Sequence, residues 1–307
     1  MFLFDLHCDT LTTAKEESVG LVNHTLQVSL DRLHGHRWCQ CFAIWLPDEV
    51  RGQAAIDYLT DHADYFLTQV AAHKELTMQA KNHSQMVEAI ESGRVAALLT
   101  VEGGGVLGGK LETVDTMANY GVKAMTLTWN GANEIAGGQA TEEGFSEFGR
   151  AAVKRMEQLG IAVDVSHLND RSFWELEKFV TRPILATHSN CRVVHECGRN
   201  LTDDQLRAIS GGGGVVGMTF YKPFLDDDKG DFDCLCRHME HALTVCGENA
   251  ICLGGDFDGG VTSDWLTGSG AMAELHRLLT GRFGAALTDK ICGQNALDFW
   301  KRYEENA

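Results

Sequence analysis

Apolar residues fall along this chain in eight short runs, at positions 2–6, 39–46, 95–101, 124–128, 161–165, 184–187, 215–220 and 251–255. Runs of this length suit buried strands. Between them, polar and apolar positions repeat at helical spacing over 54–79, 86–92, 113–120, 149–159, 172–180, 203–209 and 232–246. Strands alternating with helices predict a parallel sheet, and eight such units predict a closed α/β barrel of the TIM (β/α)8 type. The long stretch 51–93 predicts extra helical material on that barrel. No Pro-rich, Ser-rich or charge-block linker divides the 307 residues, so 1–307 reads as one domain.

The polar residues gather where the runs end. The first run leads into Asp5-Leu6-His7-Cys8-Asp9-Thr10, and residues two apart on a strand share a side, so His7 and Asp9 aim at one point. Cys8 then points the other way. Later runs end at or near Glu102, Trp129 with Asn130, His167, His188, and Asp256 with Asp258. Any one of these also suits a cap or a turn. As a set they occupy the carboxyl ends of the strands, where barrels of this kind carry their chemistry. Two imidazoles from adjacent strands, His167 and His188, can converge on one ion, and Glu102 has the two oxygens needed to bridge it to another.

Other motifs add little. Gly103 to Gly108 matches G-x-G-x-x-G, but Glu102 stands where a pyrophosphate would approach, so a flexible loop clearing space above Glu102 is the better reading. The run Gly211 to Gly214 suits a helix-to-strand connection. His34, His36, His62, His73, His83, His238 and His241 lack a partner at diagnostic spacing and read mostly as solvated, and no H-E-x-x-H occurs.

Charge excludes some partners. With 26 Lys+Arg against 43 Asp+Glu the formal net charge is −17, which repels phosphate backbones and anionic lipid, so no nucleic acid or membrane partner is expected. No apolar stretch is long enough to span a bilayer, the amino end lacks a signal sequence, and the tail 301–307 carries no anchor motif. The ten cysteines, in C-x-C pairs or alone, read as reduced thiols of a cytoplasmic protein. A homodimer is the commonest assembly and suits the chain as well as any.

Six stretches, in order, resemble the membrane (renal) dipeptidase family of metallopeptidases, peptidase family M19, within the amidohydrolase-like barrels. They are DLHCDT at the start, VEGG at 101–104, DVSHLND at 164–170, THSN at 187–190, GRNLTDDQL at 198–206 and GGDFDG at 254–259. The resemblance implies a zinc-dependent dipeptidase with two zinc ions, His7 and Asp9 on one, His167 and His188 on the other, and Glu102 bridging them. It implies that Arg199 holds the substrate's carboxylate and that Asp256 handles the proton; Asp258, two residues beyond the strand end, reads as bracing the turn at Gly259-Gly260. It also implies tolerance of a D residue at the substrate's carboxyl end. Several family members carry a histidine after the fourth strand where this chain has Trp129, which leaves Trp129 or Asn130 to position the substrate, or Trp129 to serve as an aromatic wall. Two other readings stay open: hydrolysis of another amide or a lactone, and a barrel that binds metal or ligand without turnover.

Overall fold

Nine strands form among the described residues, 1–305, of the computed structural model; the last two residues of the tail read as anchor-free lie outside them. The strands are β1 (Phe2–Asp5), β2 (Arg37–Trp45), β3 (Thr77–Gln79), β4 (Val95–Glu102), β5 (Val122–Thr126), β6 (Ala162–Asp164), β7 (Leu185–Ala186), β8 (Val215–Met218) and β9 (Ile251–Leu253). All pair in parallel. Eight of them close into a barrel in the order β1, β2, β4, β5, β6, β7, β8, β9 and back to β1. The expected eight runs are these eight strands.

The helices are α1 (Thr10–Glu16), α2 (Leu30–Leu33), α3 (Gly52–Ala72), α4 (His83–Glu91), α5 (Glu112–Tyr120), α6 (Glu147–Leu159), α7 (Asp170–Glu177), α8 (Asp203–Gly211), α9 (Lys222–Leu225), α10 (Phe232–Cys246), α11 (Met272–Phe283), α12 (Ala285–Asp289) and α13 (Asn295–Glu305). None is long and apolar enough to cross a membrane. The helix expected over 54–79 stops at Ala72. After a turn at His73, β3 pairs with the start of β4 on the edge that β5 takes further along. Pairing with an open strand edge overrides the local helical spacing there.

Alternation along the strands sorts the core. Trp45 and Glu102 are paired and share a side, and so do Cys39, Cys41, Ala96 and Leu98 below them. These small residues form one apolar cluster with Phe2, Phe4, Ala124, Ala162 and with Phe299, Trp300 and Tyr303 of α13. Tyr303 Oη donates to the carbonyl of Ile161, just before β6, so α13 closes the amino-terminal end of the barrel. The opposite end is left for the polar residues.

Candidate metal centre

The first strand reaches that end through an irregularity. Asp5 lies opposite Gln40, yet Cys8 N donates to Cys41 O at 3.2 Å and Cys8 O accepts from Ala43 N at 2.9 Å, which sets Cys8 opposite Phe42. One extra residue has therefore entered the first strand between these points. Strict alternation from Phe2 and Phe4 would turn His7 outward with Leu3 and Asp5; the bulge returns His7 and Asp9 to the barrel axis. Cys8 faces away, buried, with its thiol against the carbonyl of Cys41.

On the axis the groups converge. His7 Nε2 lies 3.2 Å from Glu102 Oε2, 3.4 Å from Asp9 Oδ2 and 3.8 Å from Asp256 Oδ1. The other oxygen of Glu102 lies 2.8 Å from His167 Nε2 and 3.6 Å from His188 Nε2. Glu102 thus divides its two oxygens between His7 and the His167/His188 pair. The rings of His7 and His188 stack with centroids 3.8 Å apart. All six side chains are buried.

Hydrogen bonds fix which ring nitrogens face the centre. The Asn130 carboxamide oxygen accepts from Gln139 Nε2 and sits 3.1 Å from His167 Nδ1, so Nδ1 carries that ring's proton. Thr187 Oγ1 donates to the Asp164 carboxylate, which also accepts from Thr126 Oγ1. The same Thr187 oxygen lies 2.7 Å from His188 Nδ1 and therefore accepts its proton. Both Nε2 atoms are left as lone pairs, the form a metal ligand needs.

Burial shapes the charges. It would raise the Glu102 carboxyl, but the charge of the adjacent His7 holds it well below the usual range. Burial and the neighbouring Glu102 push Asp9 up to about 6, and Asp256 is driven well above its ordinary value by burial, with Asp9 and Glu102 adding to the rise. His7 overcomes burial and is raised by Asp9 and Glu102, whereas burial and Arg199 lower His167 to about 4. Burial and His7 depress His188 further. Three carboxyl groups and three imidazoles are thus packed together out of water, with Glu102 held ionised, Asp256 pushed toward its neutral form and His7 toward its charged one. His7 Nε2 and Asp9 Oδ1 are moreover buried without a hydrogen-bond partner. Oxygen and imidazole donors of this kind fit divalent cations, and His7, Glu102, His188 and His7, Asp9, Asp256 are each close enough to share one.

The remaining residues frame the cluster. His167 and Asp256 hold φ of 69° and 58°, a left-handed backbone that costs a non-glycine residue about 1–3 kcal/mol and concentrates at functional sites. Gly259 must lack a side chain, because a Cβ there would fall 2.1 Å from Asp9 Oδ2 and 2.6 Å from Asp256 Oδ1. A pocket of about 390 Å³ opens above, walled by Trp45, Trp129, Asn130, Tyr221 and Phe224. Trp129 packs edge-on against Trp45 at 5.0 Å.

Arg199 is buried beside His188 and is not among the residues that line this pocket. Its two terminal nitrogens donate to Ser189 Oγ and the carbonyl of His188, and its Nε has no partner among the described residues. Asp258 does not brace the turn after it: it accepts from Thr10 Oγ1 and from the backbone N–H of Gln27 and Val28, because its own left-handed backbone turns the carboxylate toward α1. The glycines over Glu102 are not loose either, since 104–107 form a buried 3-10 turn. Nor are all remaining histidines solvated: His62 is buried on Tyr58, and buried His238 joins Cys191 N to the carbonyl of Leu225. Sequence reasoning missed Asp164, Thr187, Gln139 and Gly259. Thr187 and Asp164 lie within the THSN and DVSHLND stretches, whereas nothing local marks Gln139.

Known proteins share this architecture. A dipeptidase described as a metallo peptidase of family M19 superposes with a TM-score of 0.92 at 25% identity, over 99% of this chain and 98% of its own. A metallo peptidase from Rhodobacter sphaeroides, solved with a phosphinate mimic of the dipeptide L-Ala-D-Ala, superposes with a TM-score of 0.93 at 24% identity over 99% of both chains. An uncharacterised Klebsiella pneumoniae protein encoded in the pqqA 5′ region is 31% identical over 258 residues, 78% of this chain and 93% of its own. The family model for membrane dipeptidase, peptidase family M19, matches residues 1–307, and the chain belongs to that family.

Proposed function

We propose that this chain hydrolyses dipeptides with a free carboxyl end, including those with an L residue followed by a D residue, at a site holding two zinc ions. His7 and Asp9 would hold one ion, His167 and His188 the other, and Glu102 both. The observation that carries this reading is the division of the Glu102 oxygens, one 3.2 Å from His7 and the other 2.8 Å from His167. A pair of divalent ions supplies Lewis acidity at the scissile carbonyl and makes water acidic enough to attack near neutral pH.

The protein's own groups do the rest. Asp256, with Oδ1 facing His7 and the pocket, takes the proton of the attacking water and returns it to the departing amine. Arg199 has its Nε–H buried and unpartnered, a donor left for the substrate's carboxylate. Trp129 cannot titrate, so proton transfer rests on Asp256 while the indole shapes the pocket wall. Asn130 lines that wall and keeps His167 in its ligand form. The unpaired state of the ten cysteines suits the reducing cytoplasm.

Amine release from mixed L,L and L,D dipeptides, measured with purified protein and added zinc, tests the proposal. Turnover dependent on the metal is expected. Failure to cleave any dipeptide under full metal loading would sink it.

A further inference from the structure

We infer that Glu16 selects dipeptides whose first residue carries a cationic side chain; the inference rests on the dipeptidase reading above and adds the substrate class. Helix α1 begins directly after Asp9 and presents Asp9, Thr12, Thr13 and Glu16 to the pocket, the spacing of one helix face. At 1.5 Å per residue, Glu16 stands about 10 Å above Asp9 along that face. The substrate's α-ammonium, one bond from the carbon next to the scissile carbonyl, stays close to the metal ligands and cannot reach it. A long side chain on the same residue can.

The rest of this wall offers no competing charge. Thr12 Oγ1 donates to the carbonyl of Ala43 and accepts from Trp45 N, and Thr13 Oγ1 donates to the carbonyl of Asp258. Their hydroxyls are committed to the backbone. Asp258 has its own three donors, and Asp9, Glu102 and Asp256 face the metal cluster. Glu16 is held by Tyr58 Oη at 3.3 Å, while the adjacent Lys15 pairs with Asp61 instead. Among the described residues no lysine or arginine lines the pocket, and the buried Arg199 is the one assigned above to the substrate's carboxylate. The Trp45–Trp129 pair lines the same pocket as Glu16 and supplies aromatic surface on which an alkyl stem or a guanidinium can lie. Depth, aromatic wall and a carboxylate at the rim together describe a site for arginine or lysine.

Competing L-arginyl-D-alanine against L-citrullinyl-D-alanine isolates the charge, since citrulline has nearly the shape of arginine without it. The holoenzyme should favour the arginyl substrate in kcat/KM by about three- to thirty-fold, the span of a partly exposed ion pair with a cation–π contact. In Glu16→Gln the ratio should fall toward one, and Glu16→Lys should favour L-glutamyl-D-alanine. The ratios are read within each variant, so a general loss of activity does not imitate the result. Calorimetry with the free amino acids L-arginine and L-citrulline gives the same comparison without turnover. Cleavage of L-alanyl-D-alanine with no arginine preference, or a preference unchanged in Glu16→Gln, would overturn this inference and leave the dipeptidase reading standing. If no dipeptide is cleaved the reverse separation holds: tighter binding of L-arginine than L-citrulline, abolished in Glu16→Gln, supports the role of Glu16, and equal binding overturns it.

Discussion

His167 Nε2 and His188 Nε2 face each other at 3.1 Å with both ring protons held on the far side, by Asn130 and Thr187. Two lone pairs at that distance repel, and a divalent cation shared by them or beside them relieves the repulsion. The orienting bonds should therefore set metal affinity. Asn130→Ala and Thr187→Val each remove one such bond and should weaken metal binding by about 10–100-fold, the usual effect of losing a ligand's supporting partner. Competition with a chromophoric chelator measures this, and wild-type affinity in both variants would contradict it.

Metal uptake should release protons. Without metal His7 is held above its ordinary value and Asp9 sits at about 6, so His7 near neutral pH, joined by Asp9 as pH falls to about 6 and below, must give up protons that the ions replace. The sign is unambiguous: as pH falls through about 6 the proton competes better and apparent affinity drops. Titration from pH 7 to pH 5 in weakly buffered solution with an indicator dye reads both effects, and a pH-independent affinity would refute the picture.

Much of this was legible in the sequence because strands and ligands announce themselves locally. The eight apolar runs marked the barrel, and His7, Asp9, Glu102, His167, His188 and Asp256 each stood at a run's end. What was not legible depends on tertiary contact. The bulge that turns His7 inward follows from hydrogen bonds to a strand over thirty residues away, and the helical spacing of 54–79 hid a strand that forms only on the edge of β4. Asp258 looked like a turn residue because its partners, Gln27 and Val28, are distant in the chain.

Arg199 differs from a free fork, since its terminal nitrogens already hold Ser189 and the carbonyl of His188. Arg199→Lys should raise KM for a dipeptide by roughly 10–100-fold through loss of planar, charge-assisted donors. A carboxyl-amidated analogue should suffer much less. Equal effects on the two substrates would mean that Arg199 does not meet the carboxylate.

Asp256 and Asp258 separate by kind of defect. Asp256→Asn should keep its metals while kcat falls by about two to four orders of magnitude. Asp258→Asn should mainly lower stability, by about 1–3 kcal/mol, as the N–H groups of Gln27 and Val28 lose a charged acceptor. Steady-state kinetics beside denaturant unfolding distinguishes them, and a kinetic defect confined to Asp258→Asn would move the proton shuttle to that residue.

The central claim is that Glu102 joins two metal ions in one site, and elemental analysis of purified protein tests it most directly. Wild type should carry two metal equivalents per chain, and Glu102→Gln, which replaces a carboxylate shared by both ions with a poor ligand, should lose metal and activity together. Two equivalents retained in Glu102→Gln, or a single equivalent in fully active wild type, would contradict the account.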